Sequence, residues 1–110
     1  MTLSTHVLDT ARGVPAPGIA IALYALDGER RILTRQAVTN SDGRTDAPIA
    51  ADLGAGTYEL VFATGAYFAR LGVTAFYADI PIRFTVAENG GRYHVPLLLS
   101  PWSYATYRGS

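Results

Sequence analysis

Apolar and polar residues alternate with a period of two over several short stretches of the chain. Turn-forming residues close each stretch off, at the intervals of an all-β sandwich. The clearest stretch is IPIRFTVA, where Ile80, Ile82, Phe84 and Val86 share one face while Arg83 and Thr85 point the other way. TYELVFAT repeats this with Tyr58, Leu60 and Phe62. Both predict half-buried antiparallel strands. Strands are expected near 3–9, 19–26, 31–39, 44–46, 57–63, 80–87, 91–99 and 103–108, the fourth very short. NSDGR at 40–44 and ENGG at 88–91 carry the Asp-Gly and Asn-Gly pairs that suit hairpins needing positive φ. Between the fifth and sixth strands, TGAYFARLG predicts one short helix. Thr64 is placed to cap it, Tyr67, Phe68 and Leu71 sit at i, i+1 and i+4, and Gly72 is placed to end it.

Two strands depart from the half-buried pattern. In IAIALYAL, Ile19, Ile21 and Leu23 oppose Ala20, Ala22, Tyr24 and Leu26; in YHVPLLLS, Val95, Leu97 and Leu99 oppose His94, Pro96 and Leu98. Apolar residues on both faces imply that the outer face is covered too, and the expected cover is another copy of the chain. Pro96 removes a ladder donor, so its strand is expected to be bulged or at an edge there. A bulge would re-aim His94, two residues away.

With 110 residues and 49% hydrophobic content, the chain predicts one domain over residues 1–110, able to bury a core without staples. Nine basic and nine acidic side chains cancel, leaving no electrostatic footprint for nucleic acid or an anionic membrane. Any ligand must therefore be held by local groups. The absence of cysteine excludes disulfides, thiolate metal sites and cysteine nucleophiles. MTLSTHVLDT has neither a basic nor an apolar leader segment, and no run of about 18 apolar residues occurs, so a soluble, cytoplasmic protein is expected.

The chemical inventory is short. Both histidines fall inside expected strands, His6 beside Leu8 on its face and His94 beside Pro96 and Leu98. Local sequence leaves two readings open for them, hydrogen-bonded structural residues or members of a site. Arg44 follows the Asp42-Gly43 turn and Arg108 lies near the end, where guanidinium groups are commonly solvated charges. Ser4, Ser41, Ser100, Ser103 and Ser110 lack a nucleophile-elbow context, and no phosphate-binding glycine loop occurs. Two isolated histidines without a third ligand do not make a zinc site, and neither metal nor other cofactor is expected.

THVLDTARGVPAPGIAIALY, TNSDGRTD and YHVPLLLSPWSYATYRGS together resemble the 5-hydroxyisourate hydrolases, enzymes of the transthyretin-related family in purine breakdown. The similarity runs from residue 3 to the last residue, and the terminal Tyr-Arg-Gly-Ser is its most specific signature. The resemblance implies a transthyretin-like sandwich of two four-stranded sheets with one short helix. It also implies a homotetramer built as a dimer of dimers, with active sites in the channel between dimers. His6, Arg44, His94 and the terminal Tyr107-Arg108-Gly109-Ser110 would line that channel, so the ending would be wall rather than tail. The sequence departs from the family pattern at Arg92, commonly histidine, at Trp102-Ser103, commonly tyrosine-glycine, and at Ala78-Asp79, commonly proline-glutamate. None of these is a matched site position.

The implied substrate is 5-hydroxyisourate, whose lactam ring opens when water attacks a carbonyl, giving 2-oxo-4-hydroxy-4-carboxy-5-ureidoimidazoline in urate degradation. Histidine suits the base, because its ordinary pKa of about 6.5 leaves it largely neutral at pH 7. On this reading His6 and His94 share the orienting and deprotonation of water, with the base itself left open between them. Arg44, whose planar fork meets carbonyl and nitrogen acceptors bidentately, holds the substrate together with Arg108 and Tyr107, and Ser110 donates or accepts a hydrogen bond. Three alternatives stand beside it. One is a transthyretin-like carrier of a small aromatic ligand, which would not need this residue set. A second is a structural β-sandwich module, whose kind lacks the C-terminal block. The third is a hydrolase of a different small cyclic amide.

Overall fold

A computed structural model describes residues 1–87 and 90–110. The strands are β1 (Thr2–Ser4), β2 (Val7–Asp9), β3 (Val14–Pro15), β4 (Ala20–Asp27), β5 (Arg30–Val38) and β6 (Gly56–Phe62), followed after a helix α1 (Thr64–Arg70) by β7 (Ile80–Val86), β8 (Arg92–His94), β9 (Leu97–Leu99) and β10 (Tyr104–Thr106). They form two four-stranded sheets, ordered β10-β9-β2-β3 and β5-β4-β6-β7, and a two-stranded pair β1-β8. The result is the expected sandwich of two four-stranded sheets with one short helix.

β1 and β8 extend β2 and β9. Ser4 pairs with His94 and Val7 with Leu97 in one unbroken parallel register. The break between the pairs falls at Pro96. The flanking N–H groups of Val95 and Leu97 donate to the carbonyls of Ser4 and His6 at 2.9 and 3.0 Å. Residue 96 therefore faces the other neighbour, the C-terminal segment, and proline has no N–H to give it. The expectation of a bulge or an edge is corrected: the ladder is interrupted without a slip, in a strand with neighbours on both sides. Across the gap, the pairing of Thr106 with Leu97 and the bridge between Gly109 and His94 keep one antiparallel register.

Alternation builds the core. Leu3, Val7, Tyr93, Val95, Leu97 and Leu99 point inward from the first sheet and meet Ile19, Ile21, Leu23, Leu60, Phe62, Ile80 and Ile82, all buried. Each fully buried aliphatic or phenyl side chain contributes about 1.5–3 kcal/mol relative to exposure. Ser4, His6, Leu8, His94 and Leu98 are left half-buried on the other face. The outer face of β4 is partly covered by the chain's own polar groups. Arg31 lies 4.2 Å over the Tyr24 ring, and the buried Glu59 carboxylate accepts from Arg31 and Arg83 at 2.8 and 2.7 Å.

Several local expectations change. No strand forms at 44–46. The Asn40 side-chain oxygen accepts the N–H groups of Asp42 and Arg44 at 2.9 and 3.2 Å, and its main-chain carbonyl accepts that of Gly43, so the backbone is satisfied locally instead of in a ladder. β3 was not expected; it pairs with β2 beyond the turn at Gly13. The 40–44 turn joins no paired strands, and the turn expected at 88–91 includes Glu88 and Asn89, which lie outside the described residues. Gly90 and Gly91 do have positive φ, but β7 and β8 belong to different sheets, so this connection is not a hairpin. The tight hairpin turn is at Gly28, between the paired Asp27 and Arg30. At α1 the N-cap is Ala63, not Thr64, whose hydroxyl is buried without a hydrogen-bond partner among the described residues. Gly72 ends the helix as expected, with φ +70°, while Leu71 turns partly outward.

Candidate active site

The strand interruption creates a place where three chain segments meet on the outer face of the first sheet. His6 and His94 reach it from neighbouring strands, because even-numbered residues of 2–8 and 92–98 share that face. Loop 40–44 closes over them. It is pinned to the sheet by the Val7 N–H donating to the Gly43 carbonyl at 2.8 Å. Gly43 has φ +73° and is buried, and a Cβ there would run into the Val7 carbonyl oxygen.

That loop sets two groups at once. Its Asp42 carbonyl lies 2.9 Å from His6 Nε2. A carbonyl only accepts, so Nε2 of neutral His6 carries the proton and Nδ1 keeps the lone pair. Two residues on, Arg44 is exposed, and its guanidinium has no hydrogen-bond or ion-pair partner among the described residues. The site thus holds a free bidentate donor beside an imidazole with an available lone pair.

His94 lies against Ser4, with its Nδ1 2.8 Å from Ser4 Oγ. Partial burial holds its pKa below the ordinary 6.5, and the charges of Arg44 and His6 push the same way, against hydrogen bonding with Ser4. His94 is therefore neutral at pH 7, as a proton acceptor needs to be. The influence of both Arg44 and His6 on this ring places the three groups in one electrostatic neighbourhood.

The C-terminal segment closes the other side. Gly109 donates its N–H to the His94 carbonyl at 2.7 Å. Ser110 follows directly and is exposed. Arg108 does not join the imidazoles. Its guanidinium stacks 4.2 Å over Tyr93, which points into the sandwich, opposite to His94. With Tyr107 it lines a cleft of about 280 Å³ at the open edge between β7 and β10. The chain therefore brings His6, Arg44, His94 and the backbone at Gly109 together and puts Tyr107 and Arg108 on a separate surface.

Three supporting groups escaped sequence reasoning: the Asp42 carbonyl, the close-packed Gly43, and Asp9. The buried Asp9 carboxylate accepts from Tyr67 Oη at 2.8 Å and from the Arg12 main-chain N–H at 3.0 Å, fastening α1 to β2, the strand that begins directly after His6. Burial, and then Asp9 itself, raise the Tyr67 pKa above 10.0. An aspartate on the inward face of VLD was the one available signal. Among the described residues no cluster of three or more His, Asp or Glu could hold a metal. No helix among them is long and apolar enough to cross a membrane.

A fold of two four-stranded sheets, with two histidines on one face and a terminal segment returning onto one of them, defines a transthyretin-like protein. The chain belongs to the HIUase/Transthyretin family, whose model matches residues 3–109. It is 54% identical to 5-hydroxyisourate hydrolase 2 of Rhizobium meliloti (strain 1021), over 98% of this chain and 95% of that protein. The 5-hydroxyisourate hydrolase structure from Klebsiella pneumoniae superimposes with a TM-score of 0.87 at 40% identity, covering all of both chains. Sea bream transthyretin in complex with thyroxine superimposes with a TM-score of 0.92 at 27% identity, covering 99% of this chain and 95% of the other.

Proposed function

We propose that this protein hydrolyses the lactam ring of 5-hydroxyisourate to 2-oxo-4-hydroxy-4-carboxy-5-ureidoimidazoline. The observation that carries the reading is the convergence on one face of two histidines, each with one ring nitrogen engaged, and a guanidinium with no hydrogen-bond or ion-pair partner among the described residues, beside the returning chain end. A carrier of hydrophobic ligands has no use for that set. The relatives named as hydrolases support the substrate assignment.

The geometry supplies the parts of an amide hydrolysis. Arg44 holds ring oxygen and nitrogen acceptors in one orientation and offsets the charge that develops on the attacked carbonyl. A water held between the imidazoles gives its proton to a ring nitrogen as its oxygen bonds to the carbonyl carbon. Collapse of the tetrahedral intermediate breaks the C–N bond, and the leaving nitrogen takes the proton back from the imidazolium. Ser110 serves as a hydrogen-bonding group, and Tyr107 and Arg108 shape the segment that carries it. A positioned base supplies about 10²–10⁴-fold and one oxyanion donor about 10²–10³-fold.

The working form is a homotetramer, a dimer of dimers, whose second copy covers the half-buried outer face carrying Leu8, Leu98 and the histidines. The deciding experiment generates 5-hydroxyisourate in place with urate oxidase and follows its absorbance with and without the protein. Accelerated decay supports the reading, and a rate equal to the spontaneous one overturns it.

A further inference from the structure

We propose that Ser4 is a positioning residue for this reaction, holding the proton of His94 on Nδ1 and so presenting Nε2 as that ring's lone-pair nitrogen. The inference deepens the hydrolase reading and rests on it. Ser4 and His94 are direct partners in the parallel pair of β1 and β8, so both side chains leave the sheet on the same face, side by side. Oγ lies 2.8 Å from Nδ1.

A hydroxyl alone is ambivalent, since it donates or accepts with equal ease. The ring's other nitrogen decides. Ser4 Oγ occupies Nδ1, so Nε2 is the nitrogen left to take a proton from water. A neutral ring that accepts at Nε2 carries its own proton on Nδ1 and donates it to Oγ.

His6 is fixed by the same logic through the opposite atom, with Nε2–H donating to the Asp42 carbonyl. The two rings are thereby held in opposite tautomers, His6 with a free Nδ1 and His94 with a free Nε2. Accepting from Nδ1 also leaves the Ser4 hydroxyl proton to be donated elsewhere. Ser4 lines a cleft of about 210 Å³ together with Thr5, Arg44, Thr45 and Asp46, where that proton can meet a substrate oxygen beside the guanidinium.

Arg44 faces His94 from the loop, His6 and Ser4 from the neighbouring segment, and the backbone at Gly109 from the C-terminal segment, with Ser110 directly after it, while Arg108 stacks on Tyr93 on the other side of the sheet. Loss of the accepting Oγ removes stabilisation of the imidazolium and leaves these charges unopposed there. The acid limb of kcat/KM then moves to lower pH.

The test compares the parent with Ser4→Ala and Ser4→Thr. Ser4→Ala is expected to lower kcat at least about tenfold, part of the ~10²–10⁴-fold that a positioned base supplies, with KM within about threefold and the acid limb displaced downward. Ser4→Thr, which keeps the hydroxyl, is expected to stay within about threefold of the parent. An unchanged kcat in Ser4→Ala, an unmoved acid limb, or equal damage from threonine and alanine would each overturn the proposal. Nitrogen-15 NMR of the His94 ring in the parent decides independently of whether the variants fold: Nδ1–H supports the assignment, Nε2–H refutes it. That measurement needs no turnover, so a parent inactive on 5-hydroxyisourate would sink the hydrolase reading while the tautomer remained readable.

Discussion

A Cβ placed on Gly109 would lie 2.6 Å from Cδ2 of His94 and 3.3 Å from its Cγ. The chain end is thus packed against the imidazole so closely that only hydrogen fits between them. Gly109 is not in the left-handed region, so glycine is required here by space and not by backbone conformation.

Enlarging this residue is expected to displace the ring without disturbing the core. Gly109→Val, and deletion of Gly109 and Ser110, should each lower turnover at least about tenfold, as expected when a base is moved off its geometry. The melting temperature should stay within a few degrees, because the two residues contribute almost no apolar burial. Parallel activity and thermal-melt measurements check both halves, and full turnover in the deletion would make the chain end a tail.

The pH dependence follows from the sign of the His94 shift. Its pKa lies below 6.5 because burial disfavours the imidazolium and Arg44 and His6 repel it. On the proposed hydrolase reading the neutral form is the active one, so kcat/KM should be level near pH 7 and fall as the pH drops through the lowered value. The linked stability has the same direction. A depressed folded-state pKa leaves stability intact above the unfolded value of 6.5, and it is lost as the pH falls through the folded one. A rate profile that turned down already above pH 7 would contradict this assignment.

Much of the sandwich was legible because period-two patterning is local. Ile80, Ile82, Phe84 and Val86 declare their face within seven residues, and the structure buries Ile80, Ile82 and Val86 as read. His6, Arg44 and His94 were legible as residues, through the resemblance. Their partners were not, because Ser4 and His94 are 90 residues apart and His6 and Asp42 are 36 apart. Nothing local in DGR says that its carbonyl will orient a histidine on another segment. Arg108 teaches the converse lesson. It sits inside the most specific motif, yet strand alternation turns its guanidinium toward Tyr93 and away from His94.

Loop 40–44 couples two site groups, so one substitution should damage both. Gly43→Ala introduces a side chain at φ +73° directly against the Val7 carbonyl. Strain of this kind costs about 1–3 kcal/mol, and relief requires the loop to lift from the sheet. His6 then loses the Asp42 carbonyl and Arg44 moves with it. Expected outcomes are a lowered melting temperature and a loss of turnover greater than the loss of folded protein explains, read by comparing specific activity with circular dichroism at the same temperature.

The last prediction concerns the face on which the site lies. Leu8 and Leu98 are register partners at the centre of the first sheet, half-buried on its outer side, beyond His6 and Pro96. If a second copy covers this face, a charge at Leu98 is placed in an apolar contact while the sandwich core, built from Val7, Leu97 and Leu99 on the opposite side, is untouched. Leu98→Glu should therefore keep its strand signature in circular dichroism but lose the tetramer, because burying an unpaired carboxylate costs several kcal/mol. Light scattering on the parent should give four times the 11.8 kDa of one chain, and on the variant a smaller multiple. Turnover should fall with the mass, since on this reading the channel that holds the substrate exists only between copies. A variant that dissociates and still hydrolyses at the parent rate would show that a single copy holds the complete site.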